Sequence, residues 1–360
     1  MDRYETVIIG GGASGLMLYN LLKKKSIIVE ANDRVGKKLL ATGNGKCNLS
    51  NDNLNASFYN APDFVRPIIG EFGFEEIVKT FKSFGLVTKT IEGRLYPYSE
   101  CAATVLNVLR KNVNALTAHK VMDVIKTDFG FTVKAAGENG ISIDCKNVVL
   151  ASGSNATFGL NSLNLYSKFG HTVKEFKPSL CPIKVDGSDI KGLSGVRVKA
   201  ALKCGDHIEN GEILFKDNAI SGIAAFNVSA IIARGGCKNL AIDFMPDYTL
   251  NDVAKLVKGG IEGIFHTRLC ELLKSRTKGS LAEIIKNYEL TFKGLSDISA
   301  AQVASGGLNT DEFDNNLMSK KISGLYAIGE ALDVDGICGG YNLSWAFSSA
   351  AKVAKIINAT

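Results

Sequence analysis

The first thirty residues constrain the fold more than any other stretch of the chain. Val7-Ile8-Ile9 runs into Gly10-Gly11-Gly12-Ala13-Ser14-Gly15, and after a short helical segment Ser26-Ile27-Ile28-Val29 ends at Glu30. Strand, glycine turn, helix, strand and acid follow in the order of a dinucleotide-binding βαβ unit. Gly10 makes the tight turn, Gly12 lets backbone approach a pyrophosphate, and Gly15 lets the helix lie close on the sheet. The helix N-terminus offers unpaired N–H groups and the positive end of its dipole to the phosphates. Glu30 is placed to accept hydrogen bonds from a ribose hydroxyl pair. An ordinary βαβ unit with glycines only for packing would explain neither the three consecutive glycines nor the acid.

The composition is globular. At 360 residues, 46% hydrophobic and 22% charged, the chain is long enough for two or three domains and a large core. It has no run of roughly 18 apolar residues, and its first strand starts too early to leave space for a secretory leader. A soluble, cytoplasmic protein without a membrane partner is the expectation. The net charge of +6 is carried by scattered lysines, which suits an anionic cofactor or substrate better than nucleic acid. The eight cysteines are far apart, with no CxxC and no metal-ligand spacing alongside the four histidines. They read as reduced, mostly buried small hydrophobes, with no metal site and no redox-active dithiol.

Residues 32–51 form a long polar loop that can offer backbone donors and cations to a pyrophosphate, or can simply be a solvated surface loop. Helical periodicity over 63–83 breaks near Gly73, 86–91 reads as a strand and 99–112 as a helix, with Gly93-Arg94-Leu95-Tyr96-Pro97 between the last two. Strands are expected at 117–126, 129–135 and 141–145, with Gly137-Glu138-Asn139-Gly140 as a hairpin turn. Val148-Val149-Leu150 reads as a separate buried strand that returns to the first sheet. After Pro178, alternating strands with turns at Gly187, Gly192, Gly205 and Gly211 predict a β-rich insertion over 178–247 and 289–297. Residues 248–288 read as a helical insertion within it, capped by Thr249. Residues 1–177 and 298–360 then make one Rossmann-like α/β domain. Near its end, Gly324 to Glu330 is a buried strand, and a second glycine turn opens a helix at Tyr341. That second helix N-terminus calls for another electron-rich ligand group, which a flavin ring would supply.

These residues resemble a family of bacterial flavoproteins, the aminoacetone oxidase-like or NAD(FAD)-utilising dehydrogenases. The resemblance runs nearly end to end. It rests on Gly10 to Gly15, on Gly36-Lys37-Lys38 with Thr42-Gly43-Asn44-Gly45-Lys46-Cys47-Asn48, on Gly93 to Pro97 with Ser99, and on Gly192-Leu193-Ser194-Gly195. It is tightest in Gly329-Glu330, Asp333-Val334-Asp335-Gly336 and Gly339-Gly340-Tyr341-Asn342-Leu343. It implies FAD in a Rossmann-like domain of the two-dinucleotide-binding type, carrying an inserted β-barrel-like domain with a small helical insertion. Gly10, Gly12, Ala13, Ser14, Gly15, Glu30 and Ala31 would hold the ADP half, with Val121 against the adenine. Lys37, Lys38, Thr42, Gly43, Asn44 and Asn48 would run along the pyrophosphate, ribityl chain and ring. Asp333 and Gly339, Gly340, Tyr341 and Asn342 would approach the ribityl and isoalloxazine, and Ala151, Ser152, Gly153, Gly329 and Glu330 complete the set.

Two departures stand out. The family usually has Thr-Gly-Gly where this chain has Ser152-Gly153-Ser154. It also has Thr-His, a Gly and Ser-Gly-Pro where this chain has Lys216-Asp217, Ala219 and Ser221-Gly222-Ile223. The second lies in the inserted domain and affects the transfer of a substrate or a histidine role. The expected activity is FAD-dependent oxidoreduction of a small molecule by hydride transfer through flavin N5. With no second GxGxxG, NAD(P)H would serve as a donor that docks transiently in a cleft between domains. Tyr341, Asp335, Cys338, Arg94 and Tyr96 are the candidates for a general acid or base, each equally readable as a partner for backbone or ribityl groups. An FAD-containing RNA-modifying or RNA-binding protein and a non-enzymatic flavin sensor are the alternatives.

Overall fold

The structure is a computed structural model and describes residues 3–138, 140–156 and 162–360. The chain divides into two compact units, Met1–Phe176 with Ala304–Thr360, and Lys177–Val303. Each has its own apolar core.

In the first unit, β1 (Arg3–Ile9) and β2 (Ser26–Val29) are joined by the helix α1 (Ala13–Leu21) and pair in parallel, with Ile9 opposite Val29. On its other side β1 pairs with Ile141–Leu150, where Ile9 meets Leu150. Leu325–Ala327 pairs next, with Ala327 opposite Leu150. The carboxyl ends of these strands are thus level, and Gly10, Glu30, Ala151 and Ile328 all leave the sheet at one edge. Ligands of open α/β sheets bind outside that edge. The strands can be near-continuous runs of Val, Ile and Leu because both faces of the sheet are covered. Val7, Ile8, Val148 and Val149 are fully buried.

The expected break between 145 and 148 is absent. Ile141–Leu150 is one strand, antiparallel to Gly130–Ala136 in its first half and parallel to β1 in its second. Lys146-Asn147 carries no turn signal, so nothing ends the strand there. Lys120–Thr127 and Gly130–Ala136 form the neighbouring hairpin. Asn139, in the expected turn at 137–140, lies outside the described residues. The helix broken near Gly73 is two helices, Pro62–Glu71 and Phe74–Ser83, and the reading at 99–112 shortens to Ala102–Leu109. Ser50–Asn51, Arg94–Pro97 and Thr88–Ile91 make a small antiparallel sheet. The last element is the helix Tyr341–Ala359.

The second unit holds a seven-stranded sheet whose two edges are Tyr288–Leu290 and Phe292–Leu295. Only Thr291 separates those edges in sequence, so the sheet must curl towards closure, as a barrel does. Two sequence readings are corrected here. Gly211 is no turn: it lies inside His207–Phe215, opposite Ala200. The β-rich stretch contains a helix, Ile223–Ala233, whose Ala224 would lie 3.3 Å from a Cβ on Gly211. The helical insertion read at 248–288 holds three short α-helices, Leu250–Leu256, Thr267–Ser275 and Leu281–Lys286, the first capped by Thr249 through a reciprocal bond with Asp252.

The cysteines are also corrected. Cys204 and Cys237 form a disulfide with Cα atoms 5.6 Å apart, in the range such a bond requires. Pairing of Cys204 with Leu240 across two strands brings them together, which sequence spacing did not show. Cys47, Cys145, Cys181 and Cys270 are buried thiols. No group of described residues could hold a metal ion, and no described helix is long and apolar enough to cross a membrane.

Candidate functional site

Three glycines of the first turn have three different surroundings. Gly10 has φ +107°, and a Cβ on it would lie 2.5 Å from the Ala151 carbonyl oxygen. A Cβ on Gly15 would lie 2.0 Å from the carbonyl oxygen of Gly10, so only glycine lets α1 sit this close to β1. A Cβ on Gly12 would meet nothing within 4 Å. Gly10 and Gly15 are therefore fixed by the protein itself, whereas Gly12 borders open space. Gly12 also begins α1, which carries no side-chain cap, and its first N–H groups are left to a ligand.

Glu30 is buried, and three groups of the protein hold its carboxylate. Its Oε2 accepts the Gly11 N–H at 2.7 Å, and its Oε1 accepts the backbone N–H of Asn32 at 2.8 Å and its Nδ2 at 2.7 Å. A carboxylate has about four acceptor positions, so capacity for a ribose hydroxyl remains. Ala31 follows in the half-buried loop. Val121 is buried at the start of its strand, beside an irregularity in pairing between Val121 and Asp123.

The two lysines do not project as free cations. Lys37 pairs with Asp33, and Lys38 Nζ lies 2.6 Å from Glu330 Oε2. The other Glu330 oxygen accepts the Ala304 N–H at 2.9 Å, so Glu330 ties the polar loop to the returning chain. Gly329, with φ +60°, lies over α1: a Cβ there would be 2.8 Å from Ser14 Oγ. Ser152 Oγ accepts the Ser162 N–H at 3.3 Å, and Gly153 has φ +64°. Thr42 donates to the Leu39 carbonyl, while Gly43 and Asn44 both have positive φ and let the loop fold back on Asn48. The Asn48 Oδ1 atom is buried without a hydrogen-bond partner. A native protein rarely leaves such an acceptor unsatisfied, so it points to a ligand donor.

At the second glycine turn, Asp333 is fully engaged, with Oδ2 2.8 Å from Lys174 Nζ and Oδ1 3.2 Å from the Gly306 N–H. Asn342 braces the loop before its own helix, accepting from the Gly336 N–H at 2.9 Å and donating to the Gly336 carbonyl at 2.8 Å. Gly339 accepts from Asn51 Nδ2 at 2.9 Å. Gly340 has φ +102° and starts the final helix without a side-chain cap. Asn51 and Asn60 escaped the sequence reading. Asn60 accepts the Asp335 N–H at 2.8 Å and donates to the Asp333 carbonyl at 3.0 Å. The recurrence of asparagine at 48, 51, 53, 55 and 60 was the available signal, since short amides pair readily with irregular backbone.

The acid and base candidates differ in their surroundings. The Tyr341 ring packs among Phe58 and Tyr59, and its hydroxyl donates to the Asn53 carbonyl at 3.4 Å. Burial pushes its phenol above the ordinary value, with Asp52 adding to the shift and Arg94 opposing it. Asp335 is buried and Cys338 is half-buried. Arg94 and Tyr96 are half-buried on one strand, Arg94–Pro97. Lys216-Asp217 lies at the turn between His207–Phe215 and Ala219–Ser221, and Gly222 begins Ile223–Ala233 with φ +95°.

The open cradle at Gly12, the acid beside it, two uncapped helix N-termini and the orphaned Asn48 oxygen suit a flavin dinucleotide. Fold and site define a Rossmann-type FAD-binding flavoprotein. The chain belongs to the family described as HI0933-like protein Rossmann domain, which it matches over residues 4–356. It is 33% identical to the 3-dehydro-bile acid delta(4,6)-reductase of Clostridium scindens, over 95% of this chain and 96% of that protein. It is 25% identical to the ribosomal RNA dihydrouridine synthase of Escherichia coli, over 97% of each. The fold matches 3-ketosteroid-delta4-(5alpha)-dehydrogenase from Rhodococcus jostii with a TM-score of 0.50 at 11% identity, over 98% of this chain and 97% of that one. By this kinship the protein is an FAD-dependent oxidoreductase. Neither relative is named for aminoacetone oxidation.

Proposed function

We propose that this protein reduces a carbon–carbon double bond conjugated to a carbonyl in a small molecule, with NAD(P)H as the transient electron donor. The observation that carries the reading is the nearly end-to-end likeness to a delta(4,6)-reductase. The dihydrouridine synthase, also alike throughout, is named for saturating a double bond of the same electronic type.

When bound, FAD supplies a two-electron carrier that gives hydride from N5. The chain's residues hold and orient it. The first turn of α1 and the space at Gly12 take the pyrophosphate, and Glu30 takes the ribose. Asn48 offers its unpaired oxygen to a donor of the ring, and the N-terminus of Tyr341–Ala359 supplies partial positive charge where the reduced ring is electron-rich. Tyr341, its phenol turned to the Asn53 carbonyl, supports this wall.

The test is anaerobic reduction by NADH or NADPH followed by a 3-oxo-4,6-dienoic steroid, with aminoacetone as a control. Flavin bleaching and dienone-dependent reoxidation are expected. A flavin bleached by neither nucleotide removes the donor, and one reoxidised by no enone removes the reaction. The RNA reading is the second one, favoured by the synthase relative; reoxidation by uridine-bearing ribosomal RNA alone would put it first.

A further inference from the structure

We propose that Arg94 holds the carbonyl oxygen of the substrate and stabilises the negative charge that forms there; this rests on the conjugated-carbonyl reading above. Arg94 lies directly opposite Asn51 in the antiparallel pairing. Residues opposite each other project from the same face of a sheet, so Arg94 shares a face with the Asn51 amide that is bonded to the Gly339 carbonyl. Leu95 and Pro97, on the other face, are buried in the core.

Arg94 differs from the other eight arginines. Among the described residues, it is the one half-buried arginine whose side chain makes no hydrogen bond or ion pair. Its charge reaches the Tyr341 phenol, where Asp52 acts in the opposite sense, but Asp52 does not pair with it. A guanidinium offers five donors in a fixed fork and stays charged at any working pH. The Arg94 nitrogens stay open to water, so all five donors can turn to an oxygen ligand without breaking a contact to the protein. The wall it shares is that of Gly339 and Tyr341, at the proposed ring edge.

The reaction gives that donor a use. Hydride from the reduced flavin forms the bond at the β-carbon. The double-bond pair then shifts, leaving an enolate on the oxygen, and a proton from water closes the α-carbon. The flavin is oxidised by two electrons and NAD(P)H restores them. Charge-assisted bonds from Arg94 strengthen as the enolate forms, which is the condition for lowering the barrier.

A phenolate imitates the enolate, with an anionic oxygen on a flat conjugated carbon. The oxidised holoenzyme is titrated with 4-chlorophenol and followed by the flavin spectrum. Wild-type protein is expected to bind it more tightly as pH rises towards the phenol's own pKa. Arg94→Met should weaken binding about tenfold or more and lose that pH dependence at unchanged flavin content, and Arg94→Lys should restore part of the affinity. Equal binding by wild type and Arg94→Met, no binding by wild type, or loss of FAD from the variant would each overturn the assignment. Arg94-dependent phenolate binding in a protein that reduces no enone would instead sink the proposed reaction and keep the oxyanion site.

Discussion

The Glu30 carboxylate accepts the backbone N–H of Gly11 at 2.7 Å, so the acid at the end of β2 and the glycine turn after β1 are one hydrogen-bonded unit. The acid therefore serves the fold as well as the ribose. Glu30→Ala should lower the stability of the apoprotein by about 1–3 kcal/mol, because the buried N–H of Gly11 and the part-buried N–H of Asn32 lose their acceptor, and should also weaken FAD. Thermal melts of apo and holo forms check this. An unchanged apoprotein melt would show that the turn does not depend on the carboxylate.

Gly340 is set by the protein rather than by the ring. A Cβ there would lie 2.5 Å from the Ser50 carbonyl oxygen and 2.8 Å from Asn48 Oδ1, at a φ of +102°. Gly340→Ala should cost more than about 1 kcal/mol by chemical denaturation, whether or not flavin is present. A variant as stable as wild type but poor in flavin would place the ring against Gly340 itself.

Acid should destabilise the first unit in two stages. His171 stacks on Phe313, with Nδ1 3.0 Å from Glu312 and Nε2 2.7 Å from Ser319. Burial lowers its pKa, although Glu312 opposes the shift, so the folded state keeps the ring neutral. That contribution is present above about pH 6.5, the unfolded value, and falls as the pH drops below it. Burial pushes Glu312 up, but Lys321 and Thr172 outweigh it and bring it down to about 2. Its contribution is present above about 4.5 and is lost between 4.5 and 2. Denaturation midpoints from pH 8 to 3 should show both declines, and His171→Asn should remove the first. A variant profile parallel to wild type near pH 6 would contradict the assignment.

The glycine unit was legible in the sequence because its parts are local: strand, turn, helix and acid lie within thirty residues, and each residue type has one physical use there. The helix Ile223–Ala233 was not legible. Ile-Ala-Ala-Phe-Asn-Val-Ser-Ala-Ile-Ile-Ala is apolar on nearly every side, so it has no helical periodicity to read. Lys38 looked like a phosphate cation because its partner, Glu330, lies 292 residues away and only the fold brings them together. That the Arg94 side chain has no partner among the described residues was invisible for the same reason: pairing is a property of the fold.

The Cys204–Cys237 bond closes a loop across 33 positions. Its loss should cost about 2–4 kcal/mol, by constraint of the unfolded chain. Alkylation in denaturant without reductant should block six of the eight cysteines, and equilibrium unfolding with reductant should shift to lower denaturant. Alkylation of all eight would contradict the bond.

The central claim is that the space beside Gly12 is a dinucleotide cradle, and Gly12→Ala tests it most directly. The new methyl meets no protein atom within 4 Å, whereas Gly15→Ala meets the Gly10 carbonyl oxygen at 2.0 Å. Apoprotein stability of Gly12→Ala should stay within about 1 kcal/mol of wild type, while its FAD affinity, titrated by quenching of flavin fluorescence, should fall about tenfold or more. Gly15→Ala should lose stability with or without the cofactor. Wild-type FAD affinity in Gly12→Ala would contradict the account.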